Sequence, residues 1–313
     1  MFEKITEAIR VHDPIILHRH LNPDGDALGS QIGLKHLILK NYPGKTVYAV
    51  GDAAGQYAFM EDSAMDEVPD AAYSTALAII LDTSGKSLIS DARFSLALST
   101  ARIDHHLFLE QIAQTEVVDT GYESCCGMIT HMAMENGWQL DAISAVSLFT
   151  GIVTDSGRFR YDSTNARTFR LAAFLLEQPI NTKELYRNLY TADLEQALLR
   201  ARFVMKIQRT EHGAAYIYTT REELSRLNAD WFSISRGMVN VMADLKGVDI
   251  WANFTETDAG VVAELRSSRL DIYPVAERYG GGGHAKVCGA RLRTREEAMA
   301  LLGELDSMLK EGP

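Results

Sequence analysis

Residues 14–26 read Pro14-Ile15-Ile16-Leu17-His18-Arg19-His20-Leu21-Asn22-Pro23-Asp24-Gly25-Asp26. An apolar, β-branched run breaks abruptly into imidazoles and carboxylates. The run is read as a strand from Pro14 to His20. Asp26 to Lys40 is read as a helix, with Leu28, Ile32, Leu34, Leu37 and Ile38 near 3.6-residue spacing. The pattern repeats downstream. Ala78-Ile79-Ile80-Leu81 leads into Asp82, and Ala101-Arg102-Ile103 into Asp104-His105-His106. A fourth acid, Asp155 in Thr154-Asp155-Ser156-Gly157, follows a helical apolar run. In open α/β sheets the loops leaving the carboxyl ends of parallel strands meet at one crevice. Carboxylates and imidazoles gathered there repel one another and lose solvation, and divalent metals supply the compensation.

Further strands are expected at Thr46–Val50, Leu77–Leu81, Thr100–Ile103 and Glu116–Val118, with helices at Ser124–Asn136 and Ala142–Val153. This alternation predicts an α/β fold with a doubly wound, mostly parallel sheet. Residues 165–207 are helical in pattern throughout. We place a first domain at 1–190, a helical linker at 191–208 and a smaller α/β domain at 209–313. The second domain offers strands at Ala214–Thr219, Val248–Thr255 and Gly260–Arg266 and a helix at Ile272–Tyr279. Gly280-Gly281-Gly282-Gly283-His284 follows, then a last helix opening on Thr294-Arg295-Glu296-Glu297, a capping-box pattern.

The 313 residues are 46% hydrophobic and 23% charged, which suits a globular chain of two domains. No apolar run approaches the roughly 20 residues of a membrane span, and the start does not read as a signal peptide. Three cysteines without a CxxC pair argue against structural zinc or a disulfide framework and for a reducing cytoplasm. A net charge of −11 argues against binding duplex nucleic acid by bulk electrostatics. A small or short anionic substrate, held locally by metals and a few arginines, is compatible with it.

Each piece of the metal constellation also has a plainer use. Asp24 and Asp26 are two apart, so an extended segment points both the same way. The alternative is turn chemistry at Asn22-Pro23-Asp24-Gly25, with Asp26 capping the helix. Asp82 is a helix cap or a ligand. In Asp104-His105-His106 the aspartate can orient a ligating histidine, or all three can be an exposed polar loop. Asp155 alone could be a cap or turn residue. Oxygen and imidazole donors without thiolate suit manganese, magnesium, iron or zinc. Asp24, Asp26, Asp82 and Asp155 balance two divalent ions, which can clamp a phosphoryl group and activate water. Asp26 is read as serving the metals, so its loss is expected to remove activity without unfolding the chain.

In order and spacing these four motifs resemble the signature of the DHH phosphoesterase superfamily. Arg266-Ser267-Ser268 and Gly281-Gly282-Gly283-His284 resemble its companion DHHA1 domain, so the likeness covers nearly the whole chain. Size and motif wording are most similar to the nanoRNase/pAp-phosphatase (NrnA-like) branch. The resemblance implies an active site in a cleft between the domains and two divalent ions, Mn2+ first, with Mg2+ or Co2+ as options. It implies His20, Asp24 and Asp82 on one ion, and Asp26, Asp82, His105 and Asp155 on the other. His106 would face the substrate phosphate, so His106, Asp104 and Asp82 are the catalytic candidates. Two departures stand out. Leu107-Phe108 follow the triplet where relatives often carry a small or polar residue, and Ser124-Cys125-Cys126 stands near a Ser-Thr pair in relatives.

A glycine run before a histidine lets backbone N–H groups approach an anion, and its plainer use is a flexible turn. An arginine with two hydroxyls can hold a terminal phosphate. Substrate candidates are therefore Arg266, Ser267, Ser268, Gly281, Gly282, Gly283, His284 and Arg158, with Arg158 and Arg160 equally readable as solvated surface. The resemblance implies hydrolysis of short single-stranded RNA to 5′-mononucleotides and of 3′-phosphoadenosine 5′-phosphate to AMP. It leaves a homodimer open. The alternatives are a cyclic- or linear-dinucleotide phosphodiesterase, an exopolyphosphatase, or a nucleotide-binding regulator without chemistry.

Overall fold

The computed structural model describes residues 1–227 and 230–310, which divide into two units, the second beginning at Ala192. The first unit runs α1 (Glu3–Val11), β1 (Ile15–His18), α2 (Gly25–Asn41), β2 (Val47–Ala49), α3 (Asp70–Tyr73) and β3 (Leu77–Leu81). It continues through β4 (Ser99–Asp104), β5 (Thr115–Val118), α4 (Cys125–Glu135), α5 (Ala142–Asp155), α6 (Ala166–Leu176) and α7 (Thr182–Tyr190). Its five strands pair in the order β2-β1-β3-β4-β5, every pair parallel.

Alternation along the strands divides the apolar residues between two faces. Ile15, Leu17, Ile79, Leu81 and Ile103 join α1, α2, α4, α5 and α6 in the main core. Ile16, Ala78 and Ile80 face Val68, Tyr73, Ile89 and Phe94 on the other side. Burial on both faces is why these strands read as unbroken apolar runs. The strand order reverses direction between β1 and β3, which is the switch point at which doubly wound folds bind ligands. His20 leaves one of these two strands and Asp82 the other.

Two local expectations are corrected. Asp24 and Asp26 do not share an extended segment. Asp24 is extended and caps α2, while Asp26 already lies in the first helical turn. The cap is therefore Asp24, whose Oδ1 accepts from the Asp26 and Ala27 N–H groups at 3.0 and 2.9 Å. α2 then packs closely on α5 through glycine: a Cβ on Gly29 would lie 2.5 Å from the Ser147 carbonyl oxygen.

The second unit runs α8 (Leu194–Met205), β6 (Gln208–Arg209), β7 (Ala215–Thr219), α9 (Arg221–Arg226), α10 (Trp231–Val239) and β8 (Ile250–Thr257). Then come β9 (Gly260–Ser267), α11 (Tyr273–Arg278), β10 (Gly282–His284), β11 (Val287–Leu292) and α12 (Arg295–Ser307). The sheet order is β10-β11-β9-β8-β7-β6, antiparallel except for β7 beside β8. The stretch expected to be a helical linker contains α8, whose Phe203 is buried with Ile217, Ile234 and Trp251 in a core of this unit. No helix among the described residues is long and apolar enough to cross a membrane.

Candidate metal centre

Asp82 sits at the middle of the cluster. It follows β3 with φ 50°, a left-handed conformation uncommon for a residue other than glycine. Its carboxylate is buried, and Oδ1 accepts no hydrogen bond. His105 Nε2 lies 3.4 Å and His106 Nδ1 3.5 Å from that oxygen, and His20 Nε2 lies 3.5 Å from Oδ2. An orphaned buried carboxylate oxygen is costly unless something cationic completes it. A divalent ion suits this donor set in ligand type and charge.

Three overlapping groups each bring their ligand atoms within 4.8 Å of one another: His20, Asp24, Asp82; Asp26, His105, Asp155; and Asp82, His105, His106. All six residues proposed as ligands from the sequence therefore converge. His20 Nδ1 donates to the Leu21 carbonyl oxygen at 2.8 Å, so Nε2, which faces Asp24 and Asp82, is the ring atom that would meet a cation. Asp155 is the last residue of α5, so the fourth motif arrives on a helix end, its Oδ2 3.3 Å from His105 Nε2.

Asp26 has a second task that corrects its purely metal-serving assignment. Its two carboxylate oxygens accept from the Cys125 and Cys126 N–H groups at 2.7 and 2.8 Å. These are the first two amides of α4, which have no intrahelical acceptor. Ser124 caps the next one, at Gly127, so Asp26 and Ser124 together finish that helix end. Here Cys125 and Cys126 contribute backbone and Ser124 its hydroxyl, and the buried thiols stay protonated because burial pushes their pKa values well up.

Burial and mutual charge push the titrations of the clustered groups apart. Burial, reinforced by the Asp82 charge, raises Asp26 to about 8. Burial, and then the Asp26 charge, raises Asp155 well above the usual carboxylate range. Burial alone would lower His20, but hydrogen bonding to Asp24 and Asp82 outweighs it and lifts the imidazole to about 11. His105 rises in the same way against Asp82. For Asp82 burial is overcome by His105 and His20, and the carboxylate stays ionised.

Behind His106 stands a chain of groups that the sequence shows only in part. Asp104 Oδ1 holds His106 Nδ1 at 2.7 Å, as expected of an orienting aspartate. Asp104 Oδ2 in turn accepts from Arg102, which is fully buried and also reaches the Glu110 carbonyl at 3.2 Å. Arg102 and Asp104 are two apart on β4 and so share a face. A charged residue inside an apolar strand is the signal that points to it. Leu107 and Phe108, the departure after the triplet, are 55% and 58% exposed beside this chain.

The candidate substrate residues of the second unit all have local partners. Arg266 donates to Glu264 at 3.1 Å, to the Leu265 carbonyl of its own strand at 2.9 Å and to the Cys288 carbonyl of β11 at 3.4 Å. Ser267 Oγ accepts from the Leu270 N–H at 2.8 Å, and Ser268 Oγ donates to Asp249 at 3.1 Å. The glycine run is not a loose turn. Gly282 to His284 form β10, an edge strand paired with β11. Gly283 has φ 136°, and a Cβ there would lie 2.2 Å from the Val287 carbonyl oxygen. Arg158 stands beside the metal cluster in sequence, three residues after Asp155, and it is exposed.

Residues 14–152 match the model of the DHH family, N-terminal domain, and residues 226–311 that of the DHHA1 domain. The chain is 32% identical to the bifunctional oligoribonuclease and PAP phosphatase NrnA of Bacillus subtilis, over 99% of each chain. It is 34% identical to the probable bifunctional oligoribonuclease and PAP phosphatase NrnA of Streptococcus mutans, again over 99% of each. A solved exopolyphosphatase-related protein from Bacteroides fragilis has the same fold, with a TM-score of 0.87 at 24% identity, covering 99% of this chain and 97% of that one.

Proposed function

Because the chain belongs to the DHH family of phosphoesterases with a DHHA1 domain, in the group of the bifunctional oligoribonucleases and PAP phosphatases, we propose the same pair of activities for it. It hydrolyses short oligoribonucleotides to 5′-mononucleotides and adenosine 3′,5′-bisphosphate to AMP. The observation that carries this is the buried Asp82 carboxylate at the sheet's switch point, one oxygen unsatisfied, ringed by three histidines and grouped with three further carboxylates.

Two divalent cations, Mn2+ by preference, would supply charge neutralisation at the phosphate and an acidified solvent nucleophile when bound. His20, Asp24 and Asp82 would hold one, and Asp26, His105 and Asp155 would hold the other, with Asp82 serving both. Asp104 fixes the His106 ring through Nδ1, which leaves Nε2 to meet a phosphate oxygen. Arg102 keeps Asp104 in place beneath it. The second unit's Arg266, Ser267, Ser268, Gly281, Gly282, Gly283 and His284 are assigned to the nucleotide end of the substrate, and Arg158 adds positive charge near Asp155.

Purified protein with Mn2+ is offered a 5′-phosphorylated diribonucleotide, adenosine 3′,5′-bisphosphate and polyphosphate. Turnover of the first two, lost in Asp82→Ala with its circular-dichroism spectrum intact, is the expected result. Cleavage of polyphosphate alone, or tight nucleotide binding without turnover, would refute the assignment.

A further inference from the structure

α5 ends at Asp155, and the chain then passes through three consecutive left-handed residues, Gly157 (φ 57°), Arg158 (φ 64°) and Phe159 (φ 64°). One left-handed glycine is enough to close a helix. Arginine and phenylalanine avoid this region, so two more such residues need an outside cause. The segment is held from several directions. The Arg158 N–H donates to the Val153 carbonyl at 2.8 Å, and the Phe159 N–H to Ser156 Oγ at 2.9 Å. The Phe159 ring stacks on Phe169 with centroids 5.2 Å apart.

The result of the strain is the placement of one side chain. The Arg158 guanidinium carbon lies 4.7 Å from the centroid of the Tyr190 ring, at the end of α7. Among the described residues no carboxylate pairs with this guanidinium, although the chain is acidic overall. Arg266, by contrast, already pairs with Glu264 at 3.1 Å. Arg158 is thus an exposed cation whose direction is fixed by an aromatic face, three residues from a carboxylate of the metal cluster. Tyr57 ties the two places together: it is buried in one apolar cluster with Leu28 of α2, the helix that Asp24 caps, and with Leu189 of α7, the neighbour of Tyr190.

Every substrate of the function proposed above brings a phosphate for the metals, and the bisphosphate and 5′-phosphorylated oligonucleotides bring one more. We propose that Arg158, held on the Tyr190 ring, binds this non-scissile phosphate and makes the enzyme select nucleotides that carry it. Arg158 is the binding residue, and Tyr190 is a positioning residue acting through it. This rests on the phosphoesterase reading.

The test is the ratio of kcat/KM for adenosine 3′,5′-bisphosphate over adenosine 3′-monophosphate, which share a scissile bond and differ by the second phosphate. The wild-type protein favours the bisphosphate. Arg158→Gln lowers the ratio roughly ten- to hundredfold, the size of a charge-assisted bond to phosphate, and the loss falls in KM. Tyr190→Leu lowers it in part, and Tyr190→Phe, which keeps the ring, preserves it. A ratio in Arg158→Gln within about twofold of wild type overturns the proposal. Wild-type protein that cleaves neither compound with Mn2+ overturns the underlying phosphoesterase reading, and this one with it.

Discussion

Replacing Gly151 by alanine adds one methyl group between a helix packing and the metal cluster. Gly151 lies inside α5, where alanine is favoured over glycine by about 1 kcal/mol in an unhindered helix. Here the added Cβ would lie 2.2 Å from Cys126 Sγ and 2.8 Å from Asp26 Oδ1. Both neighbours are buried, and Asp26 is fastened to the start of α4, so neither can swing away. Overpacking of a tight core costs about 1–3 kcal/mol, and so severe a contact belongs at the upper end. The net effect is a loss of about 2 kcal/mol, or a melting temperature lower by about 4–8 °C for a unit of this size. Asp26 must also shift by a few tenths of an ångström, so Mn2+ binding weakens with it. Gly303→Ala in α12 is the control: a Cβ there meets nothing within 4 Å, and the substitution should stabilise by about 1 kcal/mol. Calorimetry and Mn2+ titration on both variants decide the matter. A Gly151→Ala protein that melts at or above wild type and binds Mn2+ normally would refute the reasoning.

Asp26→Ala removes the acceptor of two buried amides as well as a ligand, so it should destabilise by roughly 1–3 kcal/mol per amide; a denaturant midpoint equal to wild type would show that α4 finds other partners. The Asp52 carboxylate is lowered to about 2, because Ser90, Arg19 and the Asn22 N–H outweigh the effect of burial. A depressed carboxylate contributes stability above its unfolded value, and that contribution is lost as pH falls from about 4 toward 2. The stability gap between wild type and Asp52→Asn should therefore close over that window, and a gap constant from pH 7 to 2 would contradict it. Since His20 at about 11 and Asp26 at about 8 carry protons in the bare cluster, Mn2+ binding at pH 7 should release about one proton or more. Calorimetric titration in buffers of different ionisation enthalpy measures this, and identical heats in all of them would count against it.

The parallel sheet is legible in the sequence because its strands are buried on both faces and so stand out as apolar runs ending in charge. The bounds of β3 match the expected strand to the residue, and the helices from Gly25, Cys125 and Ala142 begin within a residue or two of expectation. The six candidate ligands are legible for a related reason: acids and imidazoles crowded at the ends of buried strands call for a cation to offset their burial. What is hidden depends on tertiary partners. α1 is the exception, since Phe2, Ile5 and Ile9 stand at helical spacing and carry a local signal for it. That Asp24 rather than Asp26 caps α2 follows from where α4 docks, 99 residues further on. Arg102 in an apolar strand is an anomaly until Asp104 and Glu110 are seen around it. The left-handed residues 157–159 carry only one glycine, so nothing local announces the turn. β10 hides as a loop because glycine disfavours strands, whereas close approach to the β11 backbone requires it.

Crystals soaked in MnCl2 and measured at the manganese absorption edge would test the metal centre directly. Two anomalous peaks are expected about 3.5–4 Å apart, one touching His20, Asp24 and Asp82, the other Asp26, His105 and Asp155, with Asp82 reaching both. A single peak, or density that avoids Asp82, would contradict a two-metal phosphoesterase.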